Sequence, residues 1–286
     1  MNASPTTWKN ISVFLNDTPE GGKVGEYAAL LAQRFGAHLI GIHGIMGTPG
    51  DYAADSFAMG KQAIDSVIAR RRAAEEEQGL SVARRFAALS GKHDISTEFR
   101  VIWSGHDDGE ALHNSLHCDL VVLGHPKPHG LPESWTAERL LIASGVPILI
   151  IPDTWKADTI GNKVLVAWNA SREARRAISD AMPILSTAQS VTVLVVDPTR
   201  TPQKYGEEPG ADIATSLARH GVNIDLEQVD SKGAPIADII GSKATELGAD
   251  LIVIGAYSHA RATEMIFGGV TRTLLTRMPA PVLVSR

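Results

Sequence analysis

The chain has 286 residues, 44% of them hydrophobic, and a formal net charge of -5. That length accommodates two ordinary domains with a core each, and the balance of apolar and charged residues excludes a disordered chain. No apolar run approaches the roughly 18 residues needed to span a bilayer, and basic residues are scattered among acids, which argues against a dedicated nucleic-acid binder.

The opening MNASPTTWKNISVFLND passes from a short polar lead into a strand-like run. It lacks the basic and apolar regions of a secretion signal, so a cytoplasmic location is expected. From there, strands are expected at ISVFLN, HLIGIHGI, STEFRVIW, DLVVLG and PILIIP. Between the second and third lies a long segment of helical character, with Phe57, Ile64, Val67 and Ile68 near helical spacing. Its basic cluster Arg70 to Arg72 is followed by Glu75 to Glu77, a spacing that suits i,i+4 pairing on a solvated face. Cys118 precedes DLVVLG, where a thiol packs as a small apolar group, and as the only cysteine it closes no intrachain disulfide.

The polar, unperiodic stretch DTWKADTIGN, residues 153–162, reads as a linker between residues 1–152 and 163–286. Beyond it the series returns as KVLVAWN, SVTVLVVDP, NIDLEQVD, DLIVIG and PVLVSR. Strands alternating with helical stretches predict a parallel α/β sheet, and the near-continuous apolar strands suit a sheet covered on both faces. CDLVVLGH matches ADLIVIGAY, and SGVPILIIP matches PAPVLVSR, so the chain is one pattern written twice. The second copy replaces the long helical segment with a loop, PTRTPQKYGEEPG, and the shorter ADIATSLARHG.

Two five-strand units, each ending in DLhVhG and later PVLhh (h apolar), resemble a tandem universal stress protein. The resemblance covers essentially the whole chain. It implies two Rossmann-like domains, each a five-stranded parallel sheet of order 3-2-1-4-5 flanked by helices, with ATP held over the strand carboxyl ends. It also implies that the last strands, PILIIP and PVLVSR, pair across a pseudo-dimer within the chain, with a homodimer of tandem chains as a further possibility. Nucleotide-binding members carry Gly-x2-Gly-x9-Gly-Ser/Thr between the fourth strand and the last helix. Placed on that motif, the second copy matches at Gly255 and Gly268, with Ser258 at the second glycine, Gly269 at the hydroxyl position and Thr271 as a second hydroxyl. The first strand of the family ends in Asp-Gly-Ser, onto which Asn169 and Ser171 fall. With Val196 and Val270, these residues make up the candidate nucleotide site, for ATP with or without Mg²⁺.

In physical terms, Gly268 and Gly269 allow backbone to approach a phosphate, and the amides opening the following helix point at an anion. The competing reading is a loop end that caps a helix. Asn169 brings no charge to attract a metal and equally suits a polar strand end bonding its own backbone. Ser258 departs from the motif by adding a Cβ. The first copy departs further, placing Ser134 and bulky Trp135 on the paired glycines, and is expected to be structural. Asp17 there reads as a turn former or helix cap. His125, Lys127 and His129 form a Pro-braced surface loop without the further ligands a metal requires, and Asp107 with Asp108 reads as a helix cap. No Walker loop, Gly-x-Ser-x-Gly elbow or His-Glu-x-x-His motif occurs.

Three functions therefore compete: a nucleotide-binding stress-response module, a pure interaction protein using the stripe of Phe57, Met59, Ile64 and Val67, and a slow ATPase. The last lacks an evident base beside Thr271, Arg261 and Arg272.

Overall fold

A computed structural model describes residues 7–46, 61–104, 109–127, 135–200, 202–256 and 269–286. Two compact units emerge, Lys9–Thr136 and Ala137–Arg286, the latter with Thr7 and Trp8.

The first unit contains β1 (Asn10–Leu15), α1 (Pro19–Phe35), β2 (His38–Met46), α2 (Lys61–His93), β3 (Thr97–Ser104), α3 (Gly109–Ser115) and β4 (Leu120–His125). Its strands are parallel in the order β3-β2-β1-β4. Ile11, Val13 and Phe14 of β1 are fully buried, as expected of a central strand covered on both faces. The side chain of Thr18, not Asp17, caps α1 by accepting the Gly21 amide at 3.1 Å. Asp17 instead pairs with Arg85 and accepts from the Ser81 hydroxyl at 3.0 Å, because it lies one residue short of the cap. Phe57, Met59, Asp107, Asp108, His129 and Ser134 lie outside the described residues, as do the side chains of Ile64, Val67 and Ile68. Arg70, Arg72 and Glu76 are exposed on α2, on the solvated face expected of them.

The second unit contains α4 (Ala137–Ser144), β5 (Ile148–Pro152), β6 (Lys163–Ala167), α5 (Arg172–Leu185), β7 (Ser190–Val196), α6 (Pro202–Tyr205), α7 (Ala211–Arg219), β8 (Ile224–Val229), α8 (Ile236–Leu247), β9 (Leu251–Gly255), α9 (Gly269–Thr276) and β10 (Val282–Ser285). Its sheet runs β5-β10-β9-β6-β7-β8. The second copy therefore shows the expected order 3-2-1-4-5, and the first copy shows it through its first four strands. The pairing of last strands also holds: β5 runs antiparallel to β10, with Leu149 opposite Leu283 and Ile148 opposite Val284. All four side chains are buried, so the two repeats share an apolar seam. Helix α5 packs on β9 and β10, whereas α8 packs on β6, β7 and α9.

The acid in DLhVhG has a structural cause. Asp119 accepts the amides of Lys9 at 2.7 Å and Asn10 at 2.9 Å, holding the start of β1 beside β4. Asp250 does the same for β6 from the head of β9. It is 7% exposed and accepts the Gly161, Asn162 and Lys163 amides at 3.1, 2.8 and 2.8 Å and the Thr159 hydroxyl at 3.0 Å. The stretch expected to be a linker carries no helix or strand, and Asp250 anchors its end.

Candidate functional site

In a sheet of order 3-2-1-4-5, the crossover direction reverses between the first and fourth strands, which leaves a crevice at their carboxyl ends. In the second copy those strands are β6 and β9. Asn169 and Ser171 follow β6 directly and Gly255 closes β9, so three of the candidate residues flank the reversal point.

Local hydrogen bonds explain the side chains after β6. Asn169 Oδ1 accepts the Ser171 amide at 3.2 Å, and Ser171 Oγ accepts the Ala174 amide at 3.1 Å as the N-cap of α5. Both residues therefore build the turn into α5, while Asn169 Nδ2 has no partner among the described residues. The same device stands in the first copy, where Asn16 Oδ1 accepts from the Thr18 amide at 3.4 Å and the Thr18 hydroxyl at 2.8 Å. Asn16, not Asp17, is thus the counterpart of Asn169. Glu173 lies buried in the first turn of α5 and is paired with Arg172. Burial alone would raise its carboxyl; the Arg172 guanidinium, its own amide and the Ser171 hydroxyl outweigh that and hold it low.

Gly255 has a packing reason of its own. A Cβ there would lie 2.4 Å from both the Ala174 amide nitrogen and the Glu173 carbonyl carbon. Gly269 is different: it opens α9, is exposed, and no described residue lies within 4 Å of where its Cβ would stand. Val270 is half-buried and Thr271 buried at 3% exposure, both in the first turn of α9. Ser258 and Gly268 lie outside the described residues.

Val196 ends β7. In a parallel ladder a residue turns its amide and carbonyl to one neighbour, and successive residues alternate between neighbours. The Leu194 carbonyl accepts from the Trp168 amide at 2.9 Å on the β6 side, and the Asp197 amide donates to the Val229 carbonyl at 2.8 Å on the β8 side. The Val196 peptide groups therefore face the β6 side, beyond the point where β6 has ended at Ala167.

Sequence reasoning missed the next residue. Asp197 is buried at 7% exposure and has a φ of 53°. Its carboxylate accepts the Ser231 amide and hydroxyl, each at 2.7 Å, and lies 3.1 Å from Arg200 Nη1. The Ser231 amide and hydroxyl hold that carboxyl below the ordinary aspartate range, aided by the Arg200 charge. Burial, with the Asp197 charge, pushes the Tyr205 phenol up. The signal available in the sequence was the acid that closes the apolar run SVTVLVV ahead of a proline.

In the first copy, Trp135 is 2% exposed and meets Phe14 of β1 edge-on, with ring centroids 4.9 Å apart. An indole filling this space belongs to a packed core. Among the described residues no group of three or more His, Cys, Asp or Glu could hold a metal, and no helix is long and apolar enough to cross a membrane. A groove of about 300 Å³ between α8 and α9, lined by Asp238, Ser242, Thr245 and Arg277, adjoins the C-terminal half of α9 rather than its first turn.

Comparison with known proteins places this architecture. No curated protein matches the chain significantly. A universal stress protein from Archaeoglobus fulgidus DSM 4304 superposes with a TM-score of 0.68 at 19% identity, covering 97% of this chain and 98% of its own. A functionally unknown protein from Pseudomonas aeruginosa PAO1 gives 0.58 at 17% identity, covering 97% and 92%. At such identities the likeness concerns the fold. The model of the universal stress protein family matches twice, over residues 7–152 and 161–286. The chain therefore belongs to the universal stress protein family and carries two of its domains in tandem.

Proposed function

We propose that the second copy binds ATP or a related adenine nucleotide, with Mg²⁺ carried on the phosphates, and that the first copy is its structural partner. The observation that carries this reading is the backbone N–H and C=O of Val196, turned toward the place where β6 has ended. A donor and an acceptor facing one notch suit the edge of a purine base. Asn169 Nδ2 supplies a donor for a ribose hydroxyl or phosphate at the adjacent strand end. Gly269, which no described neighbour requires to be glycine, lets backbone approach a phosphate at the start of α9. In the first copy, buried Trp135 supports the structural role, and the antiparallel β5–β10 pair supports a pseudo-dimer within the chain. The single thiol, buried, suits a reducing cytoplasmic setting.

Calorimetric titration of the full chain with Mg-ATP tests this. Saturable binding is expected, with a stabilisation of about 2.7 kcal/mol when ligand reaches a hundred times Kd. Absence of heat, together with an unchanged Tm at millimolar Mg-ATP, overturns nucleotide binding.

A further inference from the structure

We propose that Asp197 and Ser231 form a clasp that positions the backbone N–H and C=O of Val196 against a purine base and so sets which base the site accepts. The proposal rests on the nucleotide reading above and deepens it by naming positioning residues.

Asp197 takes a φ of 53°, in the left-handed region that disfavours most residues with a Cβ but that aspartate enters more readily when its side chain is hydrogen-bonded. A glycine would adopt this turn freely but would bring no carboxylate to it. Its carboxylate reaches across to the segment following β8 and takes both the amide and the hydroxyl of Ser231 at 2.7 Å. Arg200 closes the arrangement, with Nη1 3.1 Å from Asp197 Oδ2 and Nη2 donating to Ser231 Oγ at 3.2 Å. Ser231 Oγ also accepts the Gly233 amide at 3.2 Å. Asp197 and Ser231 are both buried, and they tie the carboxyl ends of β7 and β8 together one residue beyond Val196.

What such a clasp secures is orientation. Hydrogen bonds weaken steeply once bent, so a peptide that reads a base edge needs its direction held. Adenine presents an acceptor at N1 and a donor at its exocyclic amine. Guanine presents the reverse polarity at the corresponding atoms. A rigid N–H and C=O pair therefore separates the two bases, whereas a loosened one adapts to either.

The test compares the full chain with Asp197→Asn, Ser231→Ala and Asp197→Gly, titrated calorimetrically with ATP, GTP and inorganic tripolyphosphate in the presence of Mg²⁺. The glycine variant accepts the left-handed turn, which keeps the fold while removing the clasp. The unaltered chain is expected to prefer ATP to GTP. Each variant is expected to lose about tenfold in ATP affinity, with a narrowed preference for ATP and unchanged tripolyphosphate binding. Variants that retain both ATP affinity and base preference overturn the clasp, as do variants that lose all three ligands equally, which marks a purely structural role. Failure of the unaltered chain to bind ATP overturns the nucleotide reading itself, a different result.

Discussion

Gly255 and Ala174 meet so closely at the carboxyl end of the second sheet that a Cβ on the glycine would stand 2.4 Å from the Ala174 amide nitrogen. The contact is with backbone of the first turn of α5, which cannot rotate away as a side chain can. The same glycine that the nucleotide motif demands is therefore demanded by helix packing as well.

Gly255→Ala is accordingly expected to destabilise the protein by about 3 kcal/mol, since overpacking against backbone forces the helix to shift. Gly269→Ala is expected to change stability by no more than about 0.5 kcal/mol, since no described residue lies close to where its Cβ would stand. Urea denaturation of both variants measures this. Equal losses would refute the distinction between a glycine that packing requires and one that it does not. If the proposed function holds, Gly269→Val weakens Mg-ATP binding without a matching loss of stability.

The two acids of the repeated DLhVhG pattern differ in burial and in the number of donors they satisfy. Asp250→Ala strands three backbone amides and the Thr159 hydroxyl, and is expected to cost about 3 to 5 kcal/mol. Asp119→Ala releases two amides near solvent and is expected to cost about 1 to 2 kcal/mol. The order of the two unfolding midpoints decides it; Asp119→Ala as the more damaging change would show the account wrong.

Asp197 also predicts a pH dependence. The Ser231 amide and hydroxyl, then Arg200, lower its carboxyl in the folded chain; Asp230 and Tyr205 also adjoin it. A folded value below the unfolded one, about 3.9, means that the stabilisation is fully present above roughly pH 4 and is lost as pH falls through the folded value. Asp197→Asn should therefore lie below the native protein at neutral pH and approach it in acid. Stability curves that stay parallel down to pH 3 would remove Asp197 from the acid limb.

Cys118 offers an internal reporter. It is buried at the head of β4, and burial pushes its thiol up, so the nucleophilic thiolate is scarce as well as shielded. Labelling with an aromatic disulfide at pH 8 is expected to be on the order of a hundredfold slower than in denaturant, limited by local opening. Fast native labelling would place the thiol at the surface instead.

Much of this architecture was legible before any coordinates. Short apolar runs of β-branched residues at regular intervals marked the strands, and their recurrence marked two copies, because a strand covered on both faces buries nearly every residue and leaves a continuous apolar run. The resemblance to the family implied that PILIIP and PVLVSR pair, as β5 and β10 do. Asn169 and Ser171 were correctly placed at the strand end, but their bonding into the α5 cap depends on a turn geometry that letters alone do not show. In the first copy the corresponding turn is built by Asn16, whereas Asp17, read from the sequence as a turn former or helix cap, pairs with Arg85 instead.

The sequence by itself determined the class of fold, the duplication and the positions of its strands, since these follow from periodicity and propensity over a few residues. Only the tertiary structure decided why Gly255 must be glycine, why DLhVhG begins with an acid, and that Asp197 grips Ser231, 34 residues away. Each of those depends on which strand ends the crossovers bring together. No local pattern encodes that distance, because a hydrogen bond across a sheet is indifferent to the length of chain between its partners.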